Sequence, residues 1–573
     1  MTEKLTITTE RVDDIPVLLA QSERMGIAEL LDDSFQPHGN WEGTGLGWTT
    51  TIWLTHILSE GDHRMNQVQP WAANRLHTLQ KCSGQAVRDQ EWSDDRLSIV
   101  LDAFSDDQKW QHFETALNQR IVRVYNLKPK RVRVDSTTAS GYWTVTEEGL
   151  FQLGYSKDHR PDLPQLKVML SALDPLGLPV ATQVVSGERA DDPLYIPAIE
   201  QVSASLNEHG LLYVGDCKMA ALETRAFVQA QQDYYLCPLA TTQLPDAVLT
   251  AYLQPIWAGK QALTPVFRER EAHQPELIAE GYEQTVTVSA EVKGKTITWT
   301  ERHLIVRSEK LAKAATEALQ ARLAKAQVAL GQLNERKQGK KRYHDVASLQ
   351  QAVQAILKQH RVEGLLTVTI TEQAEERWVR AYGNRPAGVR GERALSVHSE
   401  VNAPAVEAAI RWLGWRVYAT NQPRELLPLE QAILAYREEY LVERGFGRLK
   451  GKPLSLSPMY VQSDQRATSL VRLLSIGLRV LTLLEFSARQ HLVDTKATVA
   501  GLYAGNPKRT TNRPTAEALL GAFKGIHLSL ITIGQQLHRH VTPLSEVQQH
   551  LLALLDLSPE LYDQLCVEFP QPT

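Results

Sequence analysis

The sequence predicts a multidomain protein in which an α/β sheet core lies between helical regions. The chain has 573 residues, which is more than one hydrophobic core accommodates. Its first 125 residues carry apolar side chains at three- and four-residue spacing, which is typical of amphipathic helices. Between residues 130 and 240, short apolar strands then alternate with helical segments, a pattern that indicates an α/β sheet with a mixed edge.

Composition excludes several classes of protein. An apolar content of 43% and a charged content of 22% are ordinary for a soluble globular chain. The formal net charge is −4, so the molecule as a whole is not a basic nucleic-acid binder. Any contact with DNA must therefore come from local basic segments, of which the sequence offers three, at residues 128–133, 336–342 and 508–513.

Cysteine usage and hydropathy bear on the compartment. The four cysteines are far apart and form no CxxC pair, which argues against a zinc site and a disulfide framework and fits a reducing cytosol. The N-terminal residues lack the apolar stretch of a signal peptide. The most apolar run, residues 470–486, is interrupted by charged side chains, so we expect a buried helix and no membrane span.

The region 1–125 is predicted to be a helical N-terminal domain. Four helices are expected, at residues 15–25, 48–59, 94–104 and 108–124. Ser93 is suited to cap the third of them. Helical composition leaves two roles open for this domain, binding of DNA ends or packing on the next domain.

The region 126–240 is predicted to be the first part of the core. Residues 131–135 alternate at period two and end in Asp135, which indicates a strand with a carboxylate at its end. Another apolar strand, at 211–216, again ends in a carboxylate, Asp216. The remaining elements are strands at 167–173, 179–185 and 234–239 and helices at 193–206 and 218–230.

The region 241–425 is predicted to be an α+β insertion. Strands are expected at 284–290, 295–306, 364–370 and 415–420, with a helical hairpin at 308–335 and 346–360. Asp345 is suited to cap the second helix. The basic turn RKQGKKR at 336–342 has two interpretations, a solvated hairpin turn and a tip that contacts phosphates.

The region 426–495 is predicted to be the second part of the core. Residues 436–452 are expected to form one helix centred on Glu443. Tyr436, Glu439 and Lys450 then lie seven, four and seven residues from Glu443, on the same face of the helix. A long helix follows at 464–486, and the helical C-terminal region 496–573 is expected to contain helices at 515–523, 527–540 and 544–557.

Three carboxylates therefore stand out, namely Asp135, Asp216 and Glu443. Ligands bind at strand ends in α/β sheets, and the Glu443 helix follows the sheet in the chain. Carboxylates brought together repel unless cations neutralise them, and Mg²⁺ takes one or two carboxylates together with substrate phosphates. Two such ions activate an attacking oxygen and stabilise a leaving oxygen of a phosphodiester. The pattern favours metal-dependent phosphoryl transfer on a nucleic acid.

These residues lie in motifs that resemble the DDE transposases of bacterial insertion sequences. The group resembled has a ribonuclease-H-like core, a large insertion before the final Glu, and a signature of Tyr, two residues, Arg, three, Glu, six, Lys. This chain supplies Tyr436, Glu443 and Lys450 in that pattern, with Glu439 in the place of Arg. The resemblance extends to GYSKDHRPDLPQ at 154–165, GERADDP at 187–193 and Thr420-Asn421.

The resemblance implies a mixed five-stranded ribonuclease-H-like core and a transposase activity that cleaves DNA and transfers strands. Asp135, Asp216 and Glu443 would be catalytic and would hold Mg²⁺, with Mn²⁺ as a substitute. The partners would be double-stranded DNA, both terminal inverted repeats and target, and a second copy in a homodimer. The location would be the cytoplasm at the nucleoid, with no membrane partner. DNA contacts would come from Tyr436, Arg437, Arg444, Arg448, Lys450, Lys157, His159 and Arg160.

Two other functions remain compatible with these residues. A ribonuclease-H-like nuclease that cuts without joining would use the same carboxylates. A domesticated transposase kept only for DNA binding would not need them, so the presence of all three counts against it. A metal-dependent phosphatase fits poorly, because Asp135 has no second Asp or His cluster near it in the sequence.

Overall fold

The computed structural model describes residues 5–36, 39, 41–270, 273–335, 343, 345–384, 386–461, 463–534 and 536–567. The N-terminal region is helical apart from one strand that opens it. Two of the four predicted helices have the predicted bounds, the other two differ by one or two residues at an end, and three further short helices were not predicted. Its elements are β1 (Leu5–Arg11), α1 (Ile15–Met25), α2 (Ile27–Ser34), α3 (Leu46–Glu60), α4 (Val68–Ala73), α5 (Leu76–Ser83), α6 (Asp94–Phe104) and α7 (Asp107–Val124).

The first part of the core has the predicted order of three strands, a helix, a strand, a helix and a strand. Its elements are β2 (Arg131–Ser140), β3 (Gln165–Leu173), β4 (Leu178–Ser186), α8 (Tyr195–Leu206), β5 (Leu212–Val214), α9 (Leu222–Ala230) and β6 (Tyr234–Pro238). β3 is buried throughout its length, because other elements of the chain pack against the sheet around it.

The insertion contains more elements than the sequence predicts, since a helix, two strands and a further short helix join the expected ones. They are α10 (Asp246–Trp257), β7 (Thr264–Arg270), β8 (His273–Val292), β9 (Lys295–Ser308), α11 (Glu309–Gln332), α12 (Val346–His360), β10 (Leu366–Val379), β11 (Gly388–Val401), α13 (Ala403–Arg411) and β12 (Trp415–Thr420). Asp345 caps α12 as expected, accepting from the Ser348 N–H at 2.6 Å. The turn 336–342 lies outside the described residues.

One nine-stranded sheet runs through the molecule in the order β4-β3-β2-β5-β6-β12-β9-β8-β7. The sheet is therefore larger than the predicted five strands, because β12 pairs with β6 on one side and with β9 on the other. The pairings of β5 with β2 and with β6 are parallel. The insertion is thus divided: β7, β8, β9 and β12 extend the sheet, whereas α11, α12, β10 and β11 share a hydrophobic core of their own.

The remaining elements are α14 (Leu429–Tyr436), α15 (Tyr440–Lys450), α16 (Asp464–Asp494), α17 (Ala516–Gly521), β13 (His527–Ile533), β14 (Gln536–Val541), α18 (Glu546–Leu554) and α19 (Glu560–Asp563). The single helix predicted over 436–452 is wrong. A 3₁₀ turn over Arg437–Glu439 separates α14 from α15, and Glu438 has non-helical dihedrals of φ −82° and ψ 15°. The helical spacing predicted between Tyr436 and Glu443 therefore does not apply, because the helix is interrupted between these two residues.

The helix predicted over 527–540 is also wrong, because this segment forms the β13–β14 hairpin. Its buried residues Leu528 and Leu530 alternate with more exposed ones, which is the period of a strand. Gly534 takes a positive φ of 60° at the turn. β1 pairs antiparallel with β13, so the two ends of the chain meet in one three-stranded sheet.

α16 is the central helix of the main core. By length and hydropathy it is the one described helix that could cross a membrane, yet 94% of its most apolar window is buried inside the protein. It packs against α6, β4, α15 and α17, joining the N-terminal helices to the sheet. This burial agrees with the expected core helix.

Candidate active site

Asp135 and Asp216 lie side by side because of strand register. β2 and β5 are parallel neighbours and their last Cα partners are Arg133 and Val214. Each aspartate stands two residues beyond its member of that pair, Asp135 within β2 and Asp216 just after the end of β5, and the two carboxylates lie close enough for their charges to interact. Asp135 is not at the end of its own strand as predicted, since β2 continues to Ser140 along β3. It is β5 that ends there and opens a cleft.

This cleft brings the two aspartates together with one further carboxylate. Its lining includes Asp135, Asp216, Tyr436, Glu439 and Val442. Glu443, the carboxylate predicted from the motif, does not line the cleft and is exposed on the first turn of α15. The structure therefore brings together two of the three predicted catalytic residues, and it adds Glu439.

Burial and like charge govern the cleft. Burial raises the pKa of Asp135 above its ordinary value and the Asp216 charge adds to this, while the Lys157 ammonium and the Ser136 N–H act in the opposite direction. Burial also raises the pKa of Glu439, and the charges of Asp135, Glu443 and Asp216 raise it further. Glu439 thus faces other carboxylates and does not turn toward a cation on its own helix.

Asp216 is held by two donors. The Tyr195 hydroxyl donates to Asp216 Oδ1 at 2.6 Å, and the Lys218 N–H donates to the same oxygen at 2.8 Å. Tyr195 opens α8 and is fully buried, and its pKa is raised by burial and by the Asp216 and Asp135 charges. Nothing in the local sequence marks Tyr195 as a residue of the site, because its contact with Asp216 joins α8 to the chain just after β5.

The break before α15 has a structural cause at the back of the cleft. Arg133 is buried and its guanidinium donates to Ala435 O at 2.5 Å and to Tyr436 O at 3.3 Å. It also binds Asp174 at 2.8 Å. Arg133 thereby supplies partners for the carbonyl groups that a continuing helix would use, and α14 ends there.

Tyr436 and Arg437, both predicted to contact DNA, are occupied within the fold. The Tyr436 ring is buried against Tyr418 with ring centroids 4.8 Å apart, and burial raises its pKa. Arg437 donates to Ile278 O at 3.0 Å and to Ser308 Oγ at 2.9 Å. Neither side chain is presented to solvent as a free nucleic-acid contact.

Arg444 and Arg448 are bound by a buried carboxylate on α16. Glu485 accepts hydrogen bonds from both terminal nitrogens of Arg444 and from Arg448 at 2.6 Å, and it forms an ion pair with Arg489 at 2.6 Å. Arg448 also binds Glu517 at 2.7 Å. These contacts hold α15 against α16, so the two arginines position the helix that carries Glu443.

Lys157, His159 and Arg160 lie on the loop between β2 and β3. Lys157 reaches Asp135, and Lys450 of α15 reaches the same loop at Asp158, with a distance of 2.6 Å between Lys450 Nζ and Asp158 Oδ1. His159 is exposed and has a positive φ of 57°. Arg160 forms two hydrogen bonds with Asp162, at 2.9 and 2.8 Å, on the surface.

The cleft suits a hard divalent cation by its donor chemistry. Within the part of the chain that the structure describes, no three His, Cys, Asp or Glu side chains lie close enough to hold an ion by themselves. Mg²⁺ does not need such a cage, because it takes one or two carboxylates and completes its shell with water and substrate phosphates. The paired aspartates, whose like charges repel each other, match that requirement.

The chain matches the model of the transposase DDE domain family over residues 127–478. Among solved structures it is similar to the piggyBac transposase in a cryo-EM structure of a synaptic complex with hairpin DNA. The two chains have 8% sequence identity and a TM-score of 0.22, and the similarity covers 51% of this chain and 58% of the other. The assignment of the family does not depend on it. No curated protein matches the chain. Because the family model covers more than half of the chain and includes Asp135, Asp216 and Glu443, this protein belongs to the transposase DDE domain family.

Proposed function

We propose that this protein is the DNA transposase of a bacterial insertion sequence, which binds the terminal inverted repeats of its element, cleaves DNA at them and transfers strands into a target. The observation that carries the proposal is the pair Asp135 and Asp216, each two residues beyond the last partners of the parallel strands β2 and β5, within a chain of the transposase DDE domain family. β2 to β6 would then form the ribonuclease-H-like unit, and the four strands beyond β6 would be an extension of it.

Asp135, Asp216 and Glu443 would hold Mg²⁺ in the working enzyme, with Mn²⁺ as a substitute. When bound, such an ion polarises the scissile phosphate and neutralises charge as a phosphodiester is exchanged. The chain's own residues orient the site: Tyr195 directs Asp216 through its hydroxyl, and the Glu485 contacts keep Glu443 on the outer face of α15. Glu443 is exposed on α15, and we expect its carboxylate to join the two aspartates when DNA and the metal ion are bound.

The N-terminal helical region and the insertion would contribute DNA contacts, and a homodimer would hold the two ends of the element. The protein would act at the nucleoid. Of the predicted contact residues, Lys450, Lys157, His159 and Arg160 support this proposal best, because they lie on the surface loop and helix end beside the cleft. A role of Arg444 and Arg448 would be indirect, through the placement of α15.

The test uses end DNA taken from the inverted repeats that flank the gene, with Asp135→Asn, Asp216→Asn and Glu443→Gln assayed singly. Each variant should bind the ends as the parent does and lose cleavage in Mg²⁺ and in Mn²⁺. Near-normal cleavage by one variant would remove that residue from the catalytic set. Cleavage by the parent without strand transfer would show a nuclease, and cleavage without any metal would contradict the mechanism.

A further inference from the structure

The loop between β2 and β3 carries two adjacent side chains of opposite charge, of which one reaches Asp135 and the other reaches Lys450. Lys157 Nζ lies 2.6 Å from Ser136 O, 2.9 Å from Ser136 Oγ and 3.4 Å from Asp135 Oδ1. Asp191 lies 3.8 Å away on its other side. The Lys157 backbone N–H also donates to Thr138 Oγ1 at 3.1 Å, so the loop is tied to β2 by main chain and side chain.

The next residue is tied to α15. Asp158 Oδ1 lies 2.6 Å from Lys450 Nζ, and Lys450 also donates to Thr138 O at 3.3 Å. In the DNA-free chain, a protein cation therefore neutralises Asp135, and a protein carboxylate neutralises the ammonium that follows Glu443 on α15. Both ligands expected at the site, a cation and a phosphate, have a charge equivalent in this dipeptide.

We propose that Lys157 and Asp158 form a latch in which the ammonium takes the place of the metal ion at Asp135 and the carboxylate takes the place of a DNA phosphate at Lys450, so that metal and DNA bind by displacing the loop. The inference rests on the proposed function for the roles of Asp135 and Lys450. It adds that one loop fills the positions of both ligands, and that Lys157 and Asp158 leave these positions together.

Exposure shows why these two contacts can exchange while others cannot. The side chains of Lys450 and Asp158 are 24% and 32% exposed, and Lys157 is 29% exposed. Ion pairs in such positions contribute little net stability, because water competes for both partners. Arg448, at 7% exposed and bound by two carboxylates, could move only by giving up ion pairs that lie largely out of water. The loop is therefore the part of the charged network that a ligand can replace.

The phosphate side of the latch is tested by the affinity of end DNA for Asp158→Asn, measured by fluorescence anisotropy without metal. We expect binding about two- to fivefold tighter, as the removal of an exposed ion pair allows. The slope of log affinity against log salt should stay close to that of the parent, because Lys450 binds a phosphate in both complexes. Glu147→Gln is the matched control, because it removes the same charge from an exposed position of the same loop. In a Lys450→Gln background the gain of Asp158→Asn should disappear.

The cation side is tested by Mn²⁺ binding to DNA-free protein, followed by electron paramagnetic resonance. Lys157→Met should bind Mn²⁺ about two- to fivefold more tightly, since a competing ammonium has been removed. Arg160→Met removes one positive charge from the same loop and should change the affinity less. Thermal melting by circular dichroism verifies that each variant is folded.

The outcomes separate the latch from the proposed function. If the parent binds neither end DNA nor Mn²⁺, the proposed function fails. If the parent binds both, but Asp158→Asn behaves like Glu147→Gln or keeps its gain in the Lys450→Gln background, the phosphate side is refuted. If Lys157→Met weakens Mn²⁺ binding, Lys157 positions Asp135 and does not compete for it, and the cation side is refuted. Selective gains by both loop variants support the latch.

Discussion

Glu485→Gln should both destabilise the protein and misplace the helix that carries Glu443. The Glu485 side chain is 6% exposed. It accepts hydrogen bonds from Arg444, from Arg448 and from the Ala516 N–H at 3.3 Å, and it forms an ion pair with Arg489. Removing one partner of a buried ion pair costs roughly 3–5 kcal/mol. Arg444 and Arg489 are partly exposed and regain water, so we expect a loss of about 3 kcal/mol, most of it from Arg448.

The pH dependence of this loss has a definite sign. Burial alone would raise the pKa of Glu485, but the hydrogen bond from Arg444 and the charges of the three arginines leave it below the ordinary value of 4.5. A carboxylate with a lowered folded-state pKa stabilises the protein above its unfolded pKa, and this contribution is lost as the pH falls through the folded value. The difference in the free energy of unfolding between parent and variant should have its full size at pH 7 and should become smaller below about pH 4.5.

The measurement is urea denaturation followed by circular dichroism, with end cleavage assayed at a temperature where the variant is folded. Cleavage should fall further than the folded fraction does, because the ion pairs that hold α15 on α16 are removed. Glu517→Gln is the control, since Glu517 is 40% exposed and binds only Arg448 among the arginines of this cluster, and it should cost no more than about 1 kcal/mol. A Glu485→Gln protein within about 0.5 kcal/mol of the parent, or one no worse than Glu517→Gln, would refute the reasoning.

Two further predictions concern the cleft and the insertion. Glu439→Gln should raise the metal-free thermal midpoint at pH 7, because an ionised carboxylate whose pKa is raised in the folded state costs stability above its unfolded pKa. Glu439→Arg should weaken Mn²⁺ binding and slow cleavage by placing a guanidinium beside Asp135 and Asp216, and faster cleavage would contradict this. Replacing the five basic residues at 336–342 by Gln should flatten the salt dependence of DNA binding by about one unit for each phosphate that the turn no longer binds, whereas an unchanged slope would mean a solvated turn.

Sequence pattern alone could predict the elements whose local signals agree with their surroundings. α1, α6 and α12 have the predicted bounds, because apolar period and, for α12, the cap at Asp345 agree with burial. The segment 436–452 departs from its predicted structure for the opposite reason. Apart from its glycines, the segment consists of residues that helices accept, and at the break Ala435 O accepts from the guanidinium of Arg133, which lies 302 residues away in the chain.

The nine-stranded sheet could not be predicted for a related reason. β12 closes it by pairing with β6 and β9, and neither pairing leaves a mark within the six residues of β12 itself. The pair Asp135 and Asp216 was predictable in kind, since each follows an apolar run. Its register was not, because the alignment of Arg133 with Val214 depends on where β5 ends.

The same distinction applies to the cations of the site. The sequence shows which side chains carry positive charge near Glu443, but it does not show which of them the fold neutralises. Arg448 meets Glu485, 37 residues on, in a buried contact, whereas Lys450 meets Asp158, 292 residues earlier, at the surface. Two residues apart on one helix, they differ in what their release would cost, because a buried charge without a partner is expensive and an exposed one is hydrated. Lys450 is therefore the cation that α15 can offer to a DNA phosphate, and Arg448 is the one that keeps α15 in place.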